Sequence, residues 1–162
     1  SGQDTETIHQ GLGLDGGYVT PKVDVRGLLF DADDRVLLMR EKADGCWAPP
    51  GGWADPGNLP SVAVEREMLE ESGHVVRATK LVAVLDRDHQ GHTPPMPVSI
   101  YKLFFLCEQI GEPQAPEELE TLEIGWFGLD ELPELSTGRI TEHELRLALE
   151  HHHDPALATV FD

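Results

Sequence analysis

The sequence predicts an α/β protein in which a mixed β-sheet is covered by one long helix and one C-terminal helix. Three observations carry this reading. Segments rich in β-branched and aromatic residues recur at VDVRGLLF, VLLMR, VVRATKLVAVLDRD, VSIYKLFFLC and IGWFGL, which is strand composition. Two stretches have helical character, one after Pro60 and one after Thr141. The order places strands next to strands as well as next to helices, without the regular strand–helix alternation of a doubly wound fold.

Each element has a local reason. Residues 1–20 are rich in Gly, Asp, Thr and Gln, with little to bury, and read as a flexible arm. VDVRGLLF and VLLMR are separated by the polar DADDR, which predicts a hairpin. GCWAPPGGWADPGN is a loop by its Gly and Pro content. Pro60 stiffens a helix entry, Ser61 can cap it, and Gly73 can end it as a C′ glycine. HQGHTPPMP is a proline-rich connection between two strands. After the acidic EPQAPEELETLE come a short strand at IGWFGL and an expected brief helical turn over Asp130–Leu135. A second helix is expected from Thr141 to about Glu150, with Leu145 and Leu149 one turn apart. This divides the chain into an arm (1–20), one domain (21–150) and a tail (151–162). His151, His152 and His153 are consecutive, cannot share one helix face, and read as surface residues rather than a zinc site.

Composition narrows the function. The chain has 162 residues, enough for one domain with a proper core. Its 12 Lys and Arg stand against 30 Asp and Glu, a net charge of −18. That balance argues against binding a nucleic-acid polymer or an anionic membrane through a basic surface. It leaves room for a small phosphorylated substrate, because a bound metal reverses the local potential. Cys46 and Cys107 form no CxxC or Cys/His spacing and read as free thiols in a reducing compartment. With no visible signal peptide and no apolar run of membrane length, the expected location is the cytoplasm.

The helix after Pro60 carries Glu67, Glu70 and Glu71. At about 100° per residue, the three fall within about 100° of arc. Carboxylates so placed repel one another unless a cation sits among them, and hard oxygen donors suit Mg²⁺ or Mn²⁺ better than zinc. A solvated acidic face is the competing explanation for such a run.

The spacing around these residues decides between them. Gly52, Arg66, Glu67, Met68, Glu70, Glu71 and Gly73 stand in the order and spacing of the pattern G-x5-E-x7-R-E-U-x-E-E-x-G-U, U being aliphatic. The stretch resembles the signature of the Nudix hydrolase superfamily. Similarity extends over about residues 21–150, and YVTPKVDVRG, REKADGCWAPPGGWAD and VLDRDHQGH look most like a bacterial branch near ADP-ribose pyrophosphatases. The resemblance implies a Nudix fold, a mixed sheet sandwiched between helices (α/β/α). It implies metal binding by Glu67, Glu70, Glu71 and the Gly51 carbonyl, with Arg66 orienting the glutamates. A later-loop glutamate would complete the site: Glu120 is preferred over Glu118 and Glu123. The implied reaction is Mg²⁺- or Mn²⁺-dependent hydrolysis of the pyrophosphate bond of a nucleoside diphosphate linked to a small group. ADP-ribose is the first substrate expected, then CDP-alcohols or sugar nucleotides. A house-cleaning nucleoside triphosphate pyrophosphatase and a nucleotide-binding regulator with a weakened site are the alternatives. A homodimer is expected from the resemblance alone.

Two residues depart from the pattern. Asn58 stands where glutamate is usual, with Asp55 close enough to substitute in part, and His74 stands where an aliphatic residue is usual. Trp47 and Trp53 flank the glycine loop and could stack on a nucleobase or pack the loop. Arg40 and Arg87, at the ends of apolar strands, could reach phosphates. His89 and His92 lie in a loop that could border the site, where either could serve as a base.

Overall fold

The computed structural model describes residues 17–117 and 121–162. Its elements are β1 (Lys22–Leu28), β2 (Val36–Glu41), β3 (Trp47–Ala48), β4 (Gly51–Trp53), α1 (Pro60–Ser72), β5 (Val76–Asp86), a 3-10 turn (Arg87–His89), β6 (Ile100–Gln109), β7 (Thr121–Phe127), α2 (Glu142–His153) and β8 (Val160–Phe161).

The strands form two sheets rather than one. The larger runs β4-β1-β6-β5-β8 and the smaller β3-β2-β7. In the larger sheet β1 lies parallel to β6 and antiparallel to β4, so it is mixed, as expected. The expected hairpin survives only at its tip, where Phe30 bridges Val36 and the Leu37 N–H donates to the Leu29 carbonyl at 3.0 Å. Beyond that tip β1 and β2 part into different sheets.

Alternation along the strands feeds two cores. Val25, Leu29, Leu37, Phe105 and Cys107 pack with Ala63, Val64 and Met68 of α1. Leu28, Leu38, Phe104 and Leu106 pack with Leu145 and Ala148 of α2. Helices thus cover opposite sides, giving the α/β/α arrangement.

The helix ends follow their sequence signals in part. Pro60 occupies the first turn of α1, but Leu59 is the N-cap and no side chain caps it, so Ser61 does not have the expected role. Gly73 ends the helix with φ +75°, and its N–H reaches the Leu69 carbonyl at 2.9 Å. That left-handed conformation suits glycine, and a Cβ there would also collide with the Gln114 carbonyl. Thr141 and Glu144 form a capping box at the start of α2. α2 continues to His153, three residues past the expected end, and His151 is buried, contrary to its reading as a surface residue. Leu145, Ala148 and His151 recur every three residues and share the inward face, whereas His152 and His153 face out. The chain then returns to the sheet, where β8 pairs parallel with β5. The expected helical turn over Asp130–Leu135 is absent; Leu135 instead forms a bridge with Trp47.

Candidate active site

The short strand β4 brings α1 against the sheet edge. Gly51 pairs with Arg26 and Gly52 with Val25. A Cβ on Gly51 would strike the Val25 carbonyl oxygen and the Arg26 side chain, and one on Gly52 would lie 3.2 Å from the Glu67 carboxylate. The missing side chains let the carboxylates of α1 lie directly on the strand. The Gly51 N–H donates to Glu71 Oε1 at 3.0 Å, tying the helix to the loop.

Glu67, Glu70 and Glu71 do share one side of α1, with Arg66 beside them. Arg66 lies 3.8 Å from Glu70, 4.0 Å from Glu67 and 3.5 Å from Asp55. Asp55 therefore contacts the arginine from within the loop that holds Asn58, whose N–H bonds the Asp55 carbonyl at 3.2 Å. Burial pushes the Glu67 carboxyl up, and the charge of Glu70 adds to this. Burial also pushes Glu71 up to about 9; Arg26 opposes the shift, and the shared hydrogen bond and charge of Glu67 reinforce it. Burial and mutual repulsion thus both favour the protonated form of this pair, against the nearby charges of Arg26 and Arg66. Three carboxylates and an adjacent peptide carbonyl are donors that fit a hard divalent cation. Among the described residues no three acidic, His or Cys side chains converge on one point, so joint ligation requires side-chain rotation.

Beside this helix lies a cleft of about 770 Å³ lined by Gly51, Gly52, Trp53 and Glu71 and by the loops around Thr93–Met96 and Glu134–Arg139. Its floor holds a charged group that sequence reading missed. Arg26 grips Asp24 at 3.0 and 3.1 Å, and Lys102 reaches Asp24 Oδ2 at 2.7 Å, all three buried. Burial pushes the Asp24 carboxyl up, but the charges of Arg26 and Lys102 outweigh it and hold the group below its ordinary range. Burial pushes the Lys102 amine down, with Asp24 opposing. One signal for the group was available: Asp24 and Arg26 sit two apart in an apolar strand, on one face.

The remaining sequence candidates scatter. Arg87 is buried and lines the cleft. Arg40 points elsewhere, bonding the Gly45 carbonyl at 3.0 Å and lying 3.4 Å from Glu123. Trp47 packs edge-on against Phe127 at 4.9 Å, while Trp53 is half exposed at the cleft with the Lys22 ammonium 5.4 Å from its ring centre. His89 is exposed beside Asp86, outside the cleft lining. His92 is buried, with one ring nitrogen 3.0 Å from the Thr137 carbonyl and the other 2.7 Å from Glu144. His74 packs edge-on against Trp126, and burial pushes its imidazole down. Glu118 and Glu120 lie outside the described residues.

A glycine strand that admits a carboxylate-bearing helix between two covered sheets defines the class. The NUDIX domain model matches residues 20–148, and the chain belongs to the Nudix family. It is a Nudix pyrophosphatase, a hydrolase of phosphorus anhydrides. The putative ADP-ribose pyrophosphatase YjhB of Bacillus subtilis is 39% identical over 146 residues, spanning 90% of this chain and 69% of that protein. The crystal structure of an ADP-ribose pyrophosphatase from Streptococcus suis superposes with a TM-score of 0.78 at 38% identity, covering 88% of this chain and all of the other. A UDP-X diphosphatase structure also gives 0.78, at 28% identity, covering 100% of this chain and 77% of that one.

Proposed function

We propose that this protein hydrolyses the pyrophosphate bond of a nucleoside diphosphate linked to a small group, with ADP-ribose as the first substrate, in a reaction that depends on Mg²⁺ or Mn²⁺. The observation that carries the proposal is the Glu67–Glu71 carboxyl pair, packed onto Gly51 and Gly52 beside the cleft. The names of the B. subtilis and S. suis relatives support the choice of substrate.

In this reading Glu67, Glu70, Glu71 and the Gly51 carbonyl hold the divalent cation. Arg66 keeps Glu67 and Glu70 in place from the solvent side. When bound, the cation screens the phosphate charge and lowers the pKa of a water. Arg26 and Lys102, both paired with Asp24, present N–H donors to the diphosphate from the cleft lining, with the Arg26 guanidinium as the fixed positive charge. Trp53 offers an aromatic face to the base. Glu120 is the proposed completing glutamate.

The test is a panel of ADP-ribose, CDP-alcohols, sugar nucleotides and nucleoside triphosphates with Mg²⁺ or Mn²⁺, read as phosphate released after phosphatase coupling. Turnover restricted to triphosphates would move the assignment to a triphosphate pyrophosphatase. Tight nucleotide binding with no turnover on any compound would overturn catalysis in favour of a regulator.

A further inference from the structure

The cleft also contains a charge with no counterpart among the described residues. Arg87 is 4% exposed. Its Nε donates to the Gly138 carbonyl at 3.1 Å and its Nη2 to the Pro94 carbonyl at 2.9 Å, while Nη1 is buried with no hydrogen-bond partner among the described residues. No carboxylate among the described residues pairs with it, whereas the other two buried Arg and Lys side chains, Arg26 and Lys102, share Asp24.

Two of the acids lining the cleft are already engaged by another cation. Glu41 and Asp44 hold Arg139 at 3.6 and 3.3 Å, and Asp44 also accepts from Ser136 at 2.6 Å. Glu134 is exposed, and its charge adds to burial in pushing the Cys46 thiol up. A buried, unpaired guanidinium is costly to fold around. Here two loops hold it by backbone carbonyls at a cavity wall, so its charge remains available to whatever fills that part of the cleft.

We infer that Arg87 is a specificity residue for the group at the far end of the diphosphate: it takes a hydrogen-bond acceptor of that group, directly or through one water, and selects uncharged hydroxyl-bearing or anionic groups over cationic ones. This rests on the pyrophosphatase reading, in which the glutamates of α1 mark where the diphosphate sits. A sugar hydroxyl or phosphate satisfies the free N–H. A quaternary ammonium would place a second positive charge against it and leave the donor unpaired. Among diphosphates linked to small groups, the site therefore favours sugar-type compounds over amino-alcohol ones.

The experiment measures kcat and KM of the wild type, R87Q and R87K on ADP-ribose and CDP-choline, with melting temperatures alongside. Loss of one charged hydrogen bond corresponds to about tenfold or more. The expected result is a wild type that prefers ADP-ribose, and a KM for ADP-ribose raised about tenfold in R87Q with the preference narrowed. R87K, which keeps the charge but not the fork, should fall between. An unchanged preference in R87Q and R87K, with only a lowered melting temperature, would reduce Arg87 to a loop clamp and overturn the inference; if R87Q does not fold, R87K decides. A wild type silent on both compounds and on every other diphosphate of the panel refutes the pyrophosphatase reading instead. Calorimetric binding of ribose 5-phosphate then judges Arg87 alone: weaker binding in the variants supports the role, and equal binding refutes it.

Discussion

Replacing Glu71 by Gln separates the two things its carboxyl group does. Glu71 Oε1 accepts the Gly51 N–H at 3.0 Å, and a Gln carbonyl oxygen can keep that bond. The amide cannot carry the charge. The Glu71 carboxyl is pushed up to about 9 from an ordinary 4.5, chiefly by burial. A group raised in the folded state contributes stability that is complete below its unfolded pKa and lost as pH rises through the folded one. Between 4.5 and 9 the metal-free protein therefore weakens by roughly 1.4 kcal/mol per pH unit, which is at most about 3.5 kcal/mol by pH 7. Residual solvent contact trims this to about 2 kcal/mol. Glu71→Gln removes the loss. In chelator at pH 7–8 the variant should melt roughly 4–8 °C above the wild type, with the gap closing toward pH 4.5. With Mg²⁺ its turnover should fall by about a hundredfold or more, because the charge facing the cation is gone. Thermal melts across pH 5–8 in chelator, paired with initial rates in Mg²⁺, measure both effects. A variant less stable than wild type at pH 8, or one with near-normal turnover, would refute the crowded-carboxylate argument.

The same proton predicts a second effect: Mg²⁺ should displace it, so binding near pH 7.5 releases protons and affinity rises with pH. Calorimetry in buffers of different ionisation enthalpy would detect this, and zero release would contradict it. Gly51→Ala drives a Cβ into the Val25 carbonyl and the Arg26 side chain, and should cost about 1–3 kcal/mol of stability together with most of the activity, read by denaturant melts and rates. Asn58→Glu should raise activity or metal affinity if the departure at this position weakens the site; no change in either would mean that Asp55, already 3.5 Å from Arg66, compensates. Burial lowers the His74 imidazole, so its contribution to stability is present above about 6.5 and is lost as pH falls through the depressed value. His74→Leu should flatten that acid limb of the stability curve, measured by chemical denaturation at pH 5–8.

How much of the site was legible depended on whether its residues lie close together in sequence. Glu67, Glu70, Glu71 and Arg66 share one helix, so their common face follows from a fixed rotation per residue, and α1 with its Gly73 stop was read correctly. Ser61 was not the cap because Leu59, set extended before Pro60, took that place. His151 was misplaced because α2 runs a turn longer than its apolar spacing indicated, and its third turn faces inward. The hairpin reading failed beyond its tip because alternation says which residues are buried, not which neighbour they pair with. VDVRGL and VLLMR have the same pattern whether they join one sheet or two.

By itself, the sequence determined the α/β class, the carboxylate helix and its entry from a glycine loop. Each rests on local periodicity, on backbone preference or on the bare space a glycine leaves. Tertiary structure decided what those parts face. Asp24, Arg26 and Lys102 meet because β1 lies parallel to β6, a pairing across 78 residues that no local signal specifies. Arg87 lines the cleft, held by the carbonyls of Pro94 and Gly138, while Arg40, also a strand-end arginine, is tied to Gly45 and Glu123 outside its lining. Charge and polarity can be read residue by residue, but burial and pairing are properties of the packed whole, and they separate a cleft residue from a surface one.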